Sequence, residues 1–418
     1  MSGTGPAHQP EHAPVAATWP QLIGMFLRLG VVAFGGPVAH IALMDREVVE
    51  RRRWVDRQHF LDLMAATNLL PGPNSTQMTM HVGYVQKGDR GLWAAGLAFI
   101  VPAAAITLAL SWAWVEYRTL PAVDAAFRGL QPTVLAIVVT AMLGLAPRAA
   151  DTTVTRALLV AATGLALLGV GELLVLALGA GVGAVLLERD GRTPPRRWLR
   201  RAPRPRPRPR PGPRGGGAVA AVAALLTAPA LLGAAAAGPV APAGMIARLW
   251  WEFLRFGVTL FGSGYLLLAY LQSRLVEDLG LLSTARLLEA IVIGEMTPGP
   301  LFTTSTAVGY LLGGVAGAVV ATTAIFLPSF PLAMLLGRVL PRVTRSARAR
   351  AVIRGLGAVV VGVMLAFSIR IGLRVIVDVP SAALLTAGVV ALRSTRLPPL
   401  ALVPLGALAG VGLEALGV

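Results

Sequence analysis

The sequence predicts an all-α polytopic membrane protein built from two inverted-topology repeats, each with a broken Pro-Gly-Pro re-entrant hairpin, and about 10–12 transmembrane segments in total. Three observations carry this. Of 418 residues, 55% are hydrophobic and 14% charged, too little polar surface for a soluble globule. The chain repeats itself: "FLRLGVVAFGG" at Phe26 returns as "FLRFGVTLFGS" at Phe253, and "LLPGPNST" returns as "EMTPGPLFTT". Finally, the arginine-rich loops change position between the two copies. Long Ala/Val/Leu/Gly runs favour helices over a transmembrane barrel, whose strands would alternate over about ten residues.

The duplication keeps a spacing of 227 residues from Phe26/Phe253 through Arg28/Arg255 and Gly30/Gly257 to Pro71/Pro298 and Thr76/Thr303. It then continues at 226, through Gly83/Gly309, Gly88/Gly314 and Pro102/Pro328 to Arg128/Arg354 and Gly129/Gly355. A single indel over such a length marks a true internal repeat. The expected organisation is a polar tail over 1–18, a first transporter repeat over 19–190, an Arg/Pro-rich cytoplasmic linker over 191–217, an apolar connecting segment over 218–246 and a second repeat over 247–418.

The tail is polar and lacks a basic n-region, so insertion is expected to use the first hydrophobic helix. That helix is expected over Trp19–Met44, with "FGGP" at Phe34 and "FGSG" at Phe261 allowing close backbone packing or breaking the helix again. A second apolar segment, Phe60–Val85, must break at Pro71, Gly72 and Pro73, because proline removes a donor and glycine tolerates unusual dihedrals. Spans follow near 91–115 and 129–147, with two more between Arg156 and Arg189 joined by a turn around Gly169 to Glu172. The second repeat is expected to place a helix over Leu249–Leu271, a broken hairpin over Leu287–Leu312 and spans near 317–337, 355–373, 376–392 and 397–416.

Net charge is +17, and ten arginines lie in the linker. Alternating Pro and Arg has no means of packing a core and reads as an extended tether held near anionic lipid headgroups, rather than a nucleic-acid site. Arg46, Arg51, Arg52, Arg53 and Arg57 place the first loop in the cytoplasm. The equivalent loop of the second repeat balances Arg274 and Arg286 with Glu277 and Asp278, while Arg338, Arg342, Arg345, Arg348, Arg350 and Arg354 cluster one span later. The basic side switches, which predicts oppositely inserted repeats of five crossings each. The segment 218–246 would change that count if it spans.

Gly72 and Pro73 are read as N-cap and first residue of a half-helix whose amides, over Asn74, Ser75, Thr76 and Gln77, face the break. In the second copy Pro298, Gly299 and Pro300 precede Thr303, Thr304, Ser305 and Thr306. Two such starts facing one another would cradle an oxyanion. Arg28 and Arg255 either neutralise a dianion or snorkel to an interface. Glu295, standing where the first repeat has Asn68, is a proton-coupling candidate, a structural ion-pair partner or a residue exposed at a hairpin end. His40 and His81 read as packing residues, and Arg128 and Arg354 as interfacial anchors. The chain has no cysteine, which excludes disulfides and thiolate sites, and no nucleotide-binding glycine loop. No cofactor or metal is expected. A membrane-embedded enzyme is the distant alternative, disfavoured because acids and histidines are scattered singly.

The stretches "FLRLGVVAFGGPVAH", "LLPGPNSTQ" and "EMTPGPLFTTSTAVGYLLGG" followed by "IFLPSF" resemble the chromate ion transporter family in its long form, with two fused homologous domains. The resemblance implies an inner-membrane carrier of chromate, driven by the proton gradient and conferring resistance by efflux. Sulfate, a tetrahedral dianion of similar size, or another anion is the alternative substrate. The implied partners are the oxyanion, membrane lipid, protons as coupling candidates and a second copy in a homo-oligomer.

Overall fold

The structure, a computed structural model, describes residues 15–33, 36–67, 70–187, 243–260, 266–335, 347–395, 397 and 399–416. The linker 191–217, the segment 218–242, Asn68, and Arg338, Arg342 and Arg345 lie outside the described residues. The extended elements among those described are helices, and four are long and apolar enough to cross a membrane: Asn74–Tyr117, Pro121–Pro147, Leu301–Leu335 and Arg354–Val375. The chain is a multi-pass membrane protein.

The first apolar segment is not one rod. Helix α1, Trp19–Val32, starts at Thr18 with a capping box and stops where Ala33 turns extended; α2, Gly36–Met44, then runs into the wider-wound turn Asp45–Arg51. The chain comes back to its starting end, because the Val15 amide donates to the Arg53 carbonyl (2.8 Å) and the Ala17 amide to Gln86 Oε1 (2.7 Å). The interruption lies between the extended Ala33 and the start of α2 at Gly36, while Phe34, Gly35 and the 261–264 stretch lie outside the described residues. This corrects the expectation of a continuous helix over Trp19–Met44. The second repeat does the same, with α8 (Ala243–Thr259) ending before α9 (Leu266–Leu271), which continues as Gln272–Asp278.

The second hairpin follows the proline chemistry. Helix α3, Arg57–Thr67, ends before the break, and α4, Asn74–Tyr117, begins after Pro73, which is itself the N-cap, one residue later than expected. Helix α4 has two arms: Lys87 (φ −139°, ψ 17°) and Gly88 (φ 65°, ψ −153°) reverse the chain, so 74–86 and 89–117 run antiparallel. Gln86 Nε2 donates to the Trp54 carbonyl (2.8 Å), returning the short arm to the end that carries Arg51, Arg52, Arg53 and Arg57, the basic end. The arms meet where Gly83 and Gly91 are backbone to backbone. Equivalent residues Gly313 (φ −147°, ψ 22°) and Gly314 (φ 60°, ψ −150°) turn the second copy, and Gly309 meets Gly317. In lipid, where apolar burial gives no net drive, close approach over small residues is what holds helices together.

Helices α5 (Pro121–Ala149), α6 (Thr153–Leu167) and α7 (Glu172–Val182) complete the first repeat. Their counterparts after α10 (Thr284–Met296) and α11 (Thr304–Phe326) are α12 (Ala347–Val375), α13 (Val379–Ser394) and α14 (Pro399–Ala415). The repeats exchange partners: α5 packs on α13 and α14, and α12 on α6 and α7. Gly183 lies on Gly355, and Gly410 on Gly129, the equivalent of Gly355.

Charged contacts give the direction of each element. Arg57 bonds Glu50 (2.9 Å) and Asp45 (3.2 Å) at the basic end. Arg354 bonds Asp151 (2.9 Å) at one end of α12, while Arg370 near its other end reaches the Ala166 carbonyl (2.7 Å) and Glu277 (3.2 Å). Arg374 also bonds Thr284 there. Glu277 and Thr284 are the equivalents of Glu50 and Arg57, yet they stand at the end of α6 remote from Asp151.

Candidate anion site

Each Pro-Gly-Pro break docks on the other repeat. The Gly72 amide donates to the Leu260 carbonyl (2.6 Å) at the end of α8, and the Gly299 amide to the Ala33 carbonyl (2.8 Å) at the end of α1. Both glycines have positive φ, 109° and 95°, a conformation that L side chains resist, so proline and glycine together shape the break.

At the first break Pro71 is partly buried, whereas Gly72, Pro73, Asn74, Ser75, Thr76 and Gln77 are buried. Gln77 folds back to donate from Nε2 to the Pro71 carbonyl (2.6 Å), and its amide closes the first helical turn on the Pro73 carbonyl (3.0 Å). The amides of Ser75 and Thr76 precede that turn and have no acceptor among the described residues. They point out of a helix start with its partial positive charge. Three further polar atoms are buried without a hydrogen-bond partner among the described residues: Thr76 Oγ1, Gln77 Oε1 and Ser329 Oγ. Each such group costs about 1–3 kcal/mol unless something fills the gap.

The second break is arranged differently. Pro298, Gly299 and Pro300 are buried, but Pro300 caps a short tight turn, Leu301–Thr303, before α11 begins. Thr303, Thr304 and Ser305 donate to the carbonyls of Pro300 (2.9 Å), Leu301 (2.8 Å) and Phe302 (2.7 Å), and Thr306 pairs with Thr322 (2.7 Å). The hydroxyls expected to face an anion are turned onto their own backbone or a neighbour. Thr107 bonds Thr297 (3.2 Å) beside this break. The hydrogen bonds among the described residues do not join Asn74–Gln77 directly to Thr303–Thr306; each set is anchored across the repeat boundary instead.

Arg28 and Arg255 are exposed on α1 and α8, although their neighbours Leu29 and Phe256 are buried, and so stand apart from the buried cluster. Glu295 is half-buried, with Oε1 buried and unpartnered among the described residues. His40 contacts the Ala33 carbonyl through Nε2 (3.0 Å), next to the Gly299 anchor, and packs edge-on to Phe99. Arg128 is ion-paired to Glu414. Ser329, Thr107 and Thr297 were not among the sequence candidates. The available signal was Ser329 following Pro328 in "FLPSF", at the position of Ala103 in the first repeat.

Both breaks lie within stretches matched by a single family model. The family model for chromate transporters matches residues 20–184 and 247–411. The chain belongs to the chromate transporter family. It is 26% identical over 406 residues to a probable chromate transport protein of Synechococcus elongatus, covering 96% of this chain and 97% of that one. It is 29% identical to a chromate transport protein of Cupriavidus metallidurans, covering 89% and 87%, and 30% identical to one of Pseudomonas aeruginosa, covering 89% and 85%. No solved structure matches the chain.

Proposed function

We propose that the protein is a secondary transporter that carries chromate across the inner membrane, exporting it against its gradient at the expense of the proton-motive force. The observation that carries this is the set of unsatisfied buried donors at the first break: the Ser75 and Thr76 amides at a helix start, with polar side chains beside them. Neutral donors at a helix start suit a tetrahedral oxyanion, which accepts hydrogen bonds from several directions. Family membership supplies the substrate class.

The two repeats, over 19–190 and 247–418, insert with opposite orientation. This is supported by Glu277 and Thr284 lying at the other end of the fold from their equivalents Glu50 and Arg57. Such an arrangement lets rocking of one half against the other alternate access to a fixed midplane site. Pro71–Gln77 and Pro298–Thr306 form the two sides of that site. Arg28 and Arg255, being exposed, act on the approach of the dianion rather than in the innermost site. Glu295, whose buried oxygen has no partner among the described residues, carries the coupling proton.

The test is counterflow in proteoliposomes with an imposed pH gradient. Chromate accumulation that collapses with a protonophore is the expected result. Sulfate uptake that chromate does not compete would transfer the substrate assignment to sulfate. Flux unaffected by the pH gradient, or by Glu295→Gln, would remove proton coupling.

A further inference from the structure

We infer that Ser329, carried by the second repeat, donates directly to the oxyanion at the first break, so that the chain holds one asymmetric anion site rather than two equivalent ones. The inference rests on the transport reading and goes beyond it, since the duplication by itself suggests two equal half-sites.

Ser329 is fully buried, and its Oγ has no hydrogen-bond partner among the described residues. It lies against the bare face of Gly72: a Cβ placed there would be 2.8 Å from Ser329 Oγ and 2.9 Å from Gln77 Nε2. A hydroxyl from one repeat and an amide group from the other therefore converge on the glycine of the first break. That glycine is two residues before the helix start whose Ser75 and Thr76 amides lack acceptors. A serine hydroxyl in a helix ordinarily returns its proton to the carbonyl four residues back, as Ser368 does to Met364 (2.9 Å). Ser329 makes no such bond. Its proton is free for a ligand.

The symmetry-related position shows the contrast. Ala103 occupies the place of Ser329 and lies against Gly299, so the second break faces a methyl group where the first faces a hydroxyl. Thr303, the equivalent of Thr76, is bonded to Pro300, whereas Thr76 Oγ1 has no partner among the described residues. One break is thus closed on itself and the other is left with donors and acceptors to spare. Because Ser329 belongs to the second repeat and Gln77 to the first, a site built from both is sensitive to movement of one repeat against the other.

The experiment uses the full chain in proteoliposomes, with chromate, sulfate and molybdate as probes, and reads initial flux together with thermal stabilisation by each ion in detergent. Ser329→Ala is expected to raise the chromate KM about tenfold with maximal flux within twofold of wild type, and to abolish stabilisation by millimolar chromate. Ser329→Thr, which keeps the hydroxyl, restores both within threefold. Ser368→Ala, the same deletion at a bonded buried serine, leaves KM within twofold. Wild-type flux of chromate with an unchanged KM in Ser329→Ala overturns the inference while the transport reading stands, as does a stability loss with no change in ion response. If Ser329→Ala does not fold, Ser329→Thr and Ser329→Gly decide: retention of ion binding by the glycine variant refutes a donor role. A wild type neither transporting nor stabilised by any of the three ions overturns both.

Discussion

Substituting Gly72 by alanine separates two costs that the first break combines. With φ at 109°, Gly72 sits where an L residue is strained by about 1–3 kcal/mol. The new methyl would also approach Ser329 Oγ to 2.8 Å and Gln77 Nε2 to 2.9 Å, and overpacking of this kind costs about 1–3 kcal/mol more. The expected destabilisation is therefore about 2–6 kcal/mol. Gly88 is the control: its φ of 65° with ψ −153° is also a conformation reserved for glycine, but a Cβ there meets nothing within 4 Å, so Gly88→Ala bears the backbone cost of about 1–3 kcal/mol without the overpacking. Unfolding of both variants in mixed micelles, followed by tryptophan fluorescence, gives the comparison. Chromate flux should be lost in Gly72→Ala, whose methyl fills the space on which Ser329 and Gln77 converge, and kept in Gly88→Ala. A Gly72→Ala protein as stable and as active as Gly88→Ala would refute the packing around the break.

Other expectations are independent of that site. Because the chain has no cysteine, Arg53→Cys and Asp278→Cys each carry a single exposed thiol, and impermeant maleimide should reach them from opposite faces of the membrane; labelling from one face would remove the inverted arrangement. Arg53 has φ 53° where its repeat equivalent Gly280 has 58°, so Arg53→Gly should stabilise by up to about 1 kcal/mol and Gly280→Ala destabilise by a similar amount in thermal melts. Burial raises the Glu47 pKa, but hydrogen bonds and charge from Arg51 and Arg52 together outweigh it and hold the carboxyl below its ordinary value. Its contribution is complete above the ordinary carboxylate range and lost as pH falls through the lowered value. Acid melts of Glu47→Gln should accordingly show a flatter low-pH limb than wild type, and an identical limb would show the pairing to be idle.

The hairpin breaks at Pro71–Pro73 and Pro298–Pro300 were legible because they are local: no neighbouring residue is needed for proline to lack a donor or for glycine to take a positive φ. The turn between α6 and α7 was legible for the same reason, with Gly169 at φ 86°. The break between α1 and α2 was read less well. "FGGP" serves equally for close packing and for interruption, and only the Val15–Arg53 and Ala17–Gln86 bonds show that the chain doubles back. The site was half legible. Asn74–Gln77 are buried at a helix start as their spacing implied, but Arg28 and Arg255 face outward, since the rotation of a helix about its axis is chosen by its neighbours. Ser329 could not be singled out, because no sequence spacing places residue 329 against residue 72.

By itself, then, the sequence determined most of the helices, the Pro-Gly-Pro interruptions and the internal repeat, all of which follow from hydropathy, backbone chemistry and self-similarity along the chain. Only the tertiary structure decided that each break rests on the opposite repeat and that the two breaks are unequal. Those properties depend on which backbone carbonyl or hydroxyl arrives from some two hundred residues away. The Gly72–Leu260 and Gly299–Ala33 bonds join 188 and 266 positions (260 − 72; 299 − 33), a separation over which no local preference acts.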